Sequence, residues 1–128
     1  MGNPAEAAPL RRGDVVLVPF PFTDLTGQKV RPALVVSPDP QHDDLIVLFL
    51  SSVVPPHAQS TEWILMPNHP EFSATGLKLP SVFKAGKLLT LHRSLIHRRL
   101  GSIGRAIQAQ VDARILRAVG LAKSNPPS

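Results

Sequence analysis

Arg31 is held at a stiff point of the chain. It lies in GDVVLVPFPFTDLTGQKVRPALVVS, residues 13–37, directly before Pro32. The proline ring fixes its own φ, has no N–H, and pushes the preceding residue into extended geometry. A guanidinium held there is a planar, charged donor fork suited to phosphate oxygens. The plainer alternative is a strand-edge salt bridge to Asp24. Ser51 and Ser52 follow the apolar run Leu45–Leu50. Hydroxyls at the end of a buried strand sit at the edge of a domain, where they can donate to a phosphate. Capping the strand is the alternative.

These residue types suit one class of reaction. RNA carries its own nucleophile, the 2′-OH. An enzyme cutting at that group must take the 2′ proton, stabilise the pentavalent phosphorane, and protonate the leaving 5′ oxygen. The chain has no Cys, hence no thiol nucleophile and no thiolate metal site. Its five histidines, His42, His57, His69, His92 and His97, show no HxH, HxxxH or HExxH spacing. There is no GxSxG elbow and no P-loop. A phosphodiester transfer without metal or cofactor fits what remains.

The charge distribution points the same way. The chain has 128 residues and a net charge of +5. From Phe72 to Val111 there is no Asp or Glu, yet the stretch holds Lys78, Lys84, Lys87, Arg93, Arg98, Arg99 and Arg105, half of the fourteen Lys and Arg. Such asymmetry suggests a nucleic-acid face. An ordinary solvated surface, paired with Asp43, Asp44 or Glu62 across the fold, is the alternative. Unstacked bases are read by loop side chains, here those of TDLTGQK and VVPPHAQSTE. Gln28 and Lys29 close the first of these loops beside Arg31. Trp63, the only Trp, is read as core rather than as a stacking platform.

Positioning these groups falls to short strands. Val15–Phe20 is a β-branched and aromatic run ended by Pro21, and Ala33–Val36 is a second, with Pro32 at its start. Asp24, Thr26 and Gly27 are turn formers between them. PDPQHDD is a turn cluster. Leu45–Leu50 is apolar without alternation and reads as a strand buried on both faces. Thr61–Met66 is a further strand. SVF is a short strand, Leu88, Leu89 and Leu91 centre another, and HRRLGSIG reads as a basic turn. One helical turn is expected near Glu71–Ala74. Ile107, Val111, Ile115 and Val119 recur every four residues, predicting a helix over 104–119 stopped by Gly120. The expected fold is a small, strongly bent antiparallel sheet or barrel with a C-terminal helix, mainly β. Residues 10–122 form the domain, 1–9 a loose arm and 123–128 a frayed tail. No apolar run reaches the roughly 20 residues of a membrane helix, and the N-terminus lacks the apolar core of a secretory signal. With no Cys, the composition fits a reducing cytoplasm.

The order RRGDVVLVPF, loop, VRPALVVS, then an apolar strand ending in Ser-Ser resembles the MazF/PemK toxin family. The resemblance spans residues 10 to about 122. It implies an SH3-like barrel, a homodimer, and a cytoplasmic endoribonuclease that cleaves single-stranded RNA to 2′,3′-cyclic phosphate and 5′-OH ends. It implies restraint by an antitoxin with an acidic, partly disordered tail. It makes Arg31 the catalytic arginine and Ser51 the hydroxyl on the scissile phosphate. Lys84, Ser52, Lys29, Lys87 and Gln28 are then the expected substrate contacts. The chain departs from the pattern at FKAGKLLT. Some members carry an Arg and an acid two positions apart there; Lys84 stands for the Arg and Gly86 for the acid. A base must then come from His57, His92, Glu62 or Asp24. Two other readings remain: a non-catalytic or gyrase-inhibiting nucleic-acid binder on the same fold, and a basic barrel module with a protein partner.

Overall fold

The strand Asp14–Pro19 (β1) sends Val15 to one side of a sheet and Val16 and Val18 into a separate apolar cluster. Val30–Val35 (β2) and Asp44–Ser51 (β3) divide their side chains in the same way. Burial on both faces is why these strands read as continuous apolar runs rather than alternating ones. A computed structural model describes residues 9–19, 29–37 and 43–121. Glu62–Leu65 (β4), Ser81–His92 (β5) and Arg98–Ser102 (β6) complete six strands, and Arg105–Ala118 forms the helix α1. The strands lie in the order β4-β5-β3-β2-β1-β6, each pair antiparallel. The sheet curls into a half-barrel, so the expected mainly-β fold with a C-terminal helix is the one observed.

Leu45, Val47 and Phe49 of β3 join Val16, Val18, Ala33, Val35 and Leu91 in one cluster. Leu48 and Leu50 join Val15, Leu34, Leu65 and Phe83 in the other, covered by Ile107 and Val111 of α1. Each fully buried Val or Ile side chain contributes about 1.5–3 kcal/mol. The helix stripe is therefore real at Ile107 and Val111 but fades at its end, where Val119 is half exposed. Ile46 likewise lies open at the start of β3. Trp63 is partly buried against Phe83, consistent with a core-edge role.

Two readings change. The segment HRRLGSIG is not a basic turn: residues 98–102 form β6, pairing with the first strand of the sheet. Few apolar side chains mark it, because Arg98 and Arg99 are exposed and Leu100 is its main inward anchor. SVF and LLTL are not separate strands but one twelve-residue strand, β5. It looked broken because its pairing with β3 jumps from Leu48↔Leu88 to Phe49↔Lys84. Residues 85–87 have no counterpart on β3 and form a bulge.

The expected helical turn is a short 3₁₀ turn, Ser73–Thr75. It lies hard against β6. A Cβ on Gly76, whose φ is +76°, would come 2.2 Å from the Leu100 carbonyl oxygen, and one on Gly101 would come 2.2 Å from that of Ala74. Only glycines allow this approach, which carries the segment after Gly76 over the end of the sheet.

Candidate nucleic-acid interface

Pro32 sits third in β2, not first as expected. It pairs with Leu17 on the β1 side, while pairing with β3 begins only at Ala33↔Phe49. At Pro32 the strand is thus an edge toward β3, where a missing N–H costs nothing. Arg31 lies two residues before Ala33 and Ser51 two residues after Phe49, so both fall just beyond the last β2–β3 pair. Both line a depression of about 160 Å³, together with Phe49, Leu50, Val53, Lys84 and Lys87.

The bulge in β5 supplies the two lysines. Residues three apart on a regular strand face opposite ways. The unpaired 85–87 segment alters that alternation, and Lys84 and Lys87 line the same depression. Thr61 anchors the bulge by accepting a bond from the Ala85 N–H at 2.9 Å. Lys84 pairs across β4–β5 with Glu62, its Nζ 3.7 Å from Glu62 Oε2. The other carboxylate oxygen of Glu62 accepts from the Gln59 N–H at 3.0 Å. Gly86 is exposed, and a Cβ there would meet only Thr61 Oγ1, at 3.7 Å.

Ser51 and Ser52 part company. The hydroxyl of Ser51 accepts from the Val53 N–H at 3.1 Å, and the residue lines the lysine side. Ser52 lines a second, larger depression of about 320 Å³. Arg31 borders both. The second depression adds Lys78 and Arg98, two cations of the acid-free stretch that sequence reading did not single out. Their charge was visible; their position was not, because it depends on β6 and the glycine contacts. Lys29 is exposed and lines neither depression. Gln28 and Asp24 lie outside the described residues.

The histidines behave differently. His92 pairs with Asp44 at the end of β3 opposite Ser51, roughly 23 Å away along the strand. Its Nδ1 accepts from the Ser94 N–H at 3.1 Å and lies 2.8 Å from the Ser94 hydroxyl, capping the 3₁₀ turn Arg93–Leu95. His69 accepts from the Glu71 N–H and meets Trp63 edge-on. His57 is exposed and lines neither depression. Among the described residues no group of three or more His, Cys, Asp or Glu could hold a metal ion. No described helix is long and apolar enough to cross a membrane.

Solved structures share this architecture. An endoribonuclease in complex with its cognate antitoxin from a mycobacterial species matches 91% of this chain and 100% of its own, with TM-score 0.67 and 22% identity. A MazE–MazF complex from Deinococcus radiodurans matches 90% and 99%, with TM-score 0.68 and 21% identity. The Mycobacterium tuberculosis toxin MazF-mt6 matches 84% and 97%, with TM-score 0.66 and 18% identity. At such identities the likeness is one of fold. No curated protein sequence matches. The family profile described as PemK-like, MazF-like toxin of type II toxin–antitoxin system matches residues 11–119. That span runs from before β1 through the end of α1 and takes in both depressions, and on it the chain belongs to the PemK-like, MazF-like toxin family.

Proposed function

We propose that the protein is a metal-independent endoribonuclease toxin that cuts single-stranded RNA at the depression holding Arg31, Ser51, Lys84 and Lys87. The observation that carries this is the convergence of three cations and a hydroxyl from three different strands on one small cleft. The family membership supports it, as do solved relatives described as endoribonucleases.

The chemistry follows from the residues. The substrate's own 2′-OH attacks the adjacent phosphorus, and the bond to the 5′ oxygen breaks. The products are a 2′,3′-cyclic phosphate and a 5′-OH. Arg31 donates to the equatorial oxygens as their charge grows. Ser51 adds a neutral donor, and Lys84 and Lys87 hold the flanking phosphate charge. Gly86 cannot take a proton, and His92 is at the far end of the sheet. Among the described residues Glu62, ion-paired with Lys84, is a carboxylate beside this cleft; it takes the 2′ proton, and solvent water gives a proton to the leaving 5′ oxygen.

The partners follow from charge and family. The basic cleft suits the acidic tail of an antitoxin, and two of the solved relatives are complexes with an antitoxin, MazE in one of them. The working form is a homodimer, whose two small half-barrels enclose a longer groove than either has alone. The test is incubation of EDTA-treated protein with mixed-sequence single-stranded RNA, followed by analysis of the ends. Cyclic phosphate ends are expected. Intact RNA together with trapped DNA-gyrase complexes would replace this reading with a gyrase poison.

A further inference from the structure

A further group of cations lies outside both depressions. Pro9, Arg11, Asp14 and Arg99 line a separate cavity of about 220 Å³. Asp14 is its anchor. The Asp14 side chain is 6% exposed, and both carboxylate oxygens are occupied: Oδ2 accepts from the Arg11 N–H at 2.8 Å, and Oδ1 lies 3.1 Å from Arg99 Nε. The Arg99 side chain is 48% exposed and meets Asp14 through Nε. Its two terminal nitrogens remain as a planar fork, the edge that takes two oxygens of one phosphate. Arg11 is exposed and meets Asp14 through its backbone N–H. Among the described residues its guanidinium has no ion-pair partner, whereas Arg12 next to it is paired with Asp112 at 2.7 Å. Two guanidiniums over one covered carboxylate leave net positive charge at the mouth.

The lining decides the ligand. Among the described residues around this cavity Pro9 alone is apolar, so no aromatic or long aliphatic side chain is there to take a base. The volume is below the roughly 300 Å³ at which small-molecule pockets begin. A single phosphate group fits both facts, and a whole nucleotide fits neither. The position connects the cavity to the nucleic-acid interface. Arg98 and Arg99 are successive residues of β6, the last strand of the sheet, and successive strand residues point to opposite faces. Arg98 borders the depression beside Arg31, and Arg99 borders this cavity.

We propose that Arg11 and Arg99 form a second phosphate site, which holds a backbone phosphate of a nucleic-acid strand running past the end of the sheet, outside the reacting nucleotides. It rests on the reading of the Arg31 cleft as a nucleic-acid site and not on cleavage. The test compares strand lengths. Uncleavable 2′-deoxy single strands of about four and about sixteen nucleotides, the range of site sizes for one small single-strand-binding domain, are bound across a salt series and followed by fluorescence anisotropy. Arg11→Gln is the variant, because it keeps the backbone N–H to Asp14. With the long strand Arg11→Gln should reduce the salt slope by about 0.7, one phosphate contact. With the short strand, held at the cleft, the slopes of the two proteins should agree, whereas Lys84→Gln should lower the slope at both lengths. Equal slopes for wild type and Arg11→Gln on the long strand overturn the site, and so does a long strand that does not bind. An equal drop at both lengths also overturns it and makes Arg11 part of the general field of the cleft. Calorimetry with inorganic phosphate and with an oligoglutamate peptide checks the other sources of an anion. Arg11-dependent binding of either, without a length effect on the strands, overturns the proposal and assigns the cavity to a free anion or a protein partner. Cleavage of single-stranded RNA is scored separately. No cleavage with the length effect kept removes the nuclease reading and keeps the site; cleavage without the length effect does the opposite.

Discussion

Arg31 is the residue on which the proposed chemistry depends most. Arg31→Ala should leave the fold intact, because the position is half-buried at a sheet edge and outside both apolar clusters. It should slow cleavage by about 10²–10³, the usual cost of one donor to a developing charge. Ser51→Ala should cost less, since a neutral donor is lost rather than a charge. Ser52→Ala should change turnover least of the three, since Ser52 does not line the depression that holds Lys84 and Lys87. A single-turnover comparison of the three variants decides; a damaging Ser52→Ala with a silent Ser51→Ala would reverse the two roles. Gly86→Asp should fold, since a Cβ there meets only a hydroxyl at 3.7 Å. With Glu62 as base, the added carboxylate should bring no gain in turnover, and His92→Gln and His57→Gln should leave the pH–rate profile unchanged. A histidine limb lost in either variant would remove Glu62 from that role. The Arg-Pro step and the Ser-Ser ending were legible because each lies where local stereochemistry holds it. Glu62 was one of four carboxylates and histidines that spacing alone could not separate, because its neighbour Lys84 is on another strand.

At the scale of elements, α1 has a cap that no local pattern shows. Its N-cap residue is Gly104, with no side chain, and its first turn holds no acid. Glu71, thirty-five residues earlier than Ala106, fills the place. Its carboxylate accepts from the Ala106 N–H at 3.0 Å and the Ile107 N–H at 2.9 Å. These bonds, first that from Ile107 and then that from Ala106, hold the Glu71 carboxyl below its ordinary 4.5. A carboxyl lowered on folding stabilises the protein above its unfolded value, and the contribution is lost as pH falls through the folded value. Glu71→Gln should therefore lower Tm at pH 7, and its gap from wild type should close below about pH 4.5. Thermal melts across that range check it; a gap independent of pH would assign the bonds no electrostatic content. The helix itself was legible from its four-residue repeat. The cap, the bulge in β5 and the strand β6 were not, because each is set by a partner distant in sequence.

For the whole molecule, the acid-free stretch becomes a surface property. Lys84 and Lys87 border one depression and Lys78 and Arg98 the other, so cations lie on both sides of Arg31. Lys84→Gln should weaken binding of single strands and reduce the salt slope by about 0.7, one phosphate contact. Turnover at saturating RNA should change little if Lys84 only holds phosphate; a fall would move it into the proton transfers alongside Glu62. Sedimentation at micromolar concentration should show a dimer, and a monomer there would leave each depression to work alone. The sheet also pairs its first strand with its last, β1 with β6. A chain leaving the ribosome must therefore wait for everything from Phe20 to Arg98 before that edge of β1 is filled. At synthesis rates of about 5–20 residues per second the wait is roughly four to sixteen seconds. Until then the nascent chain shows an open β edge and no Arg98 beside Arg31. A message cut or stalled before β6 should therefore yield a fragment whose β1 edge stays open to pairing with other chains, an aggregation-prone product.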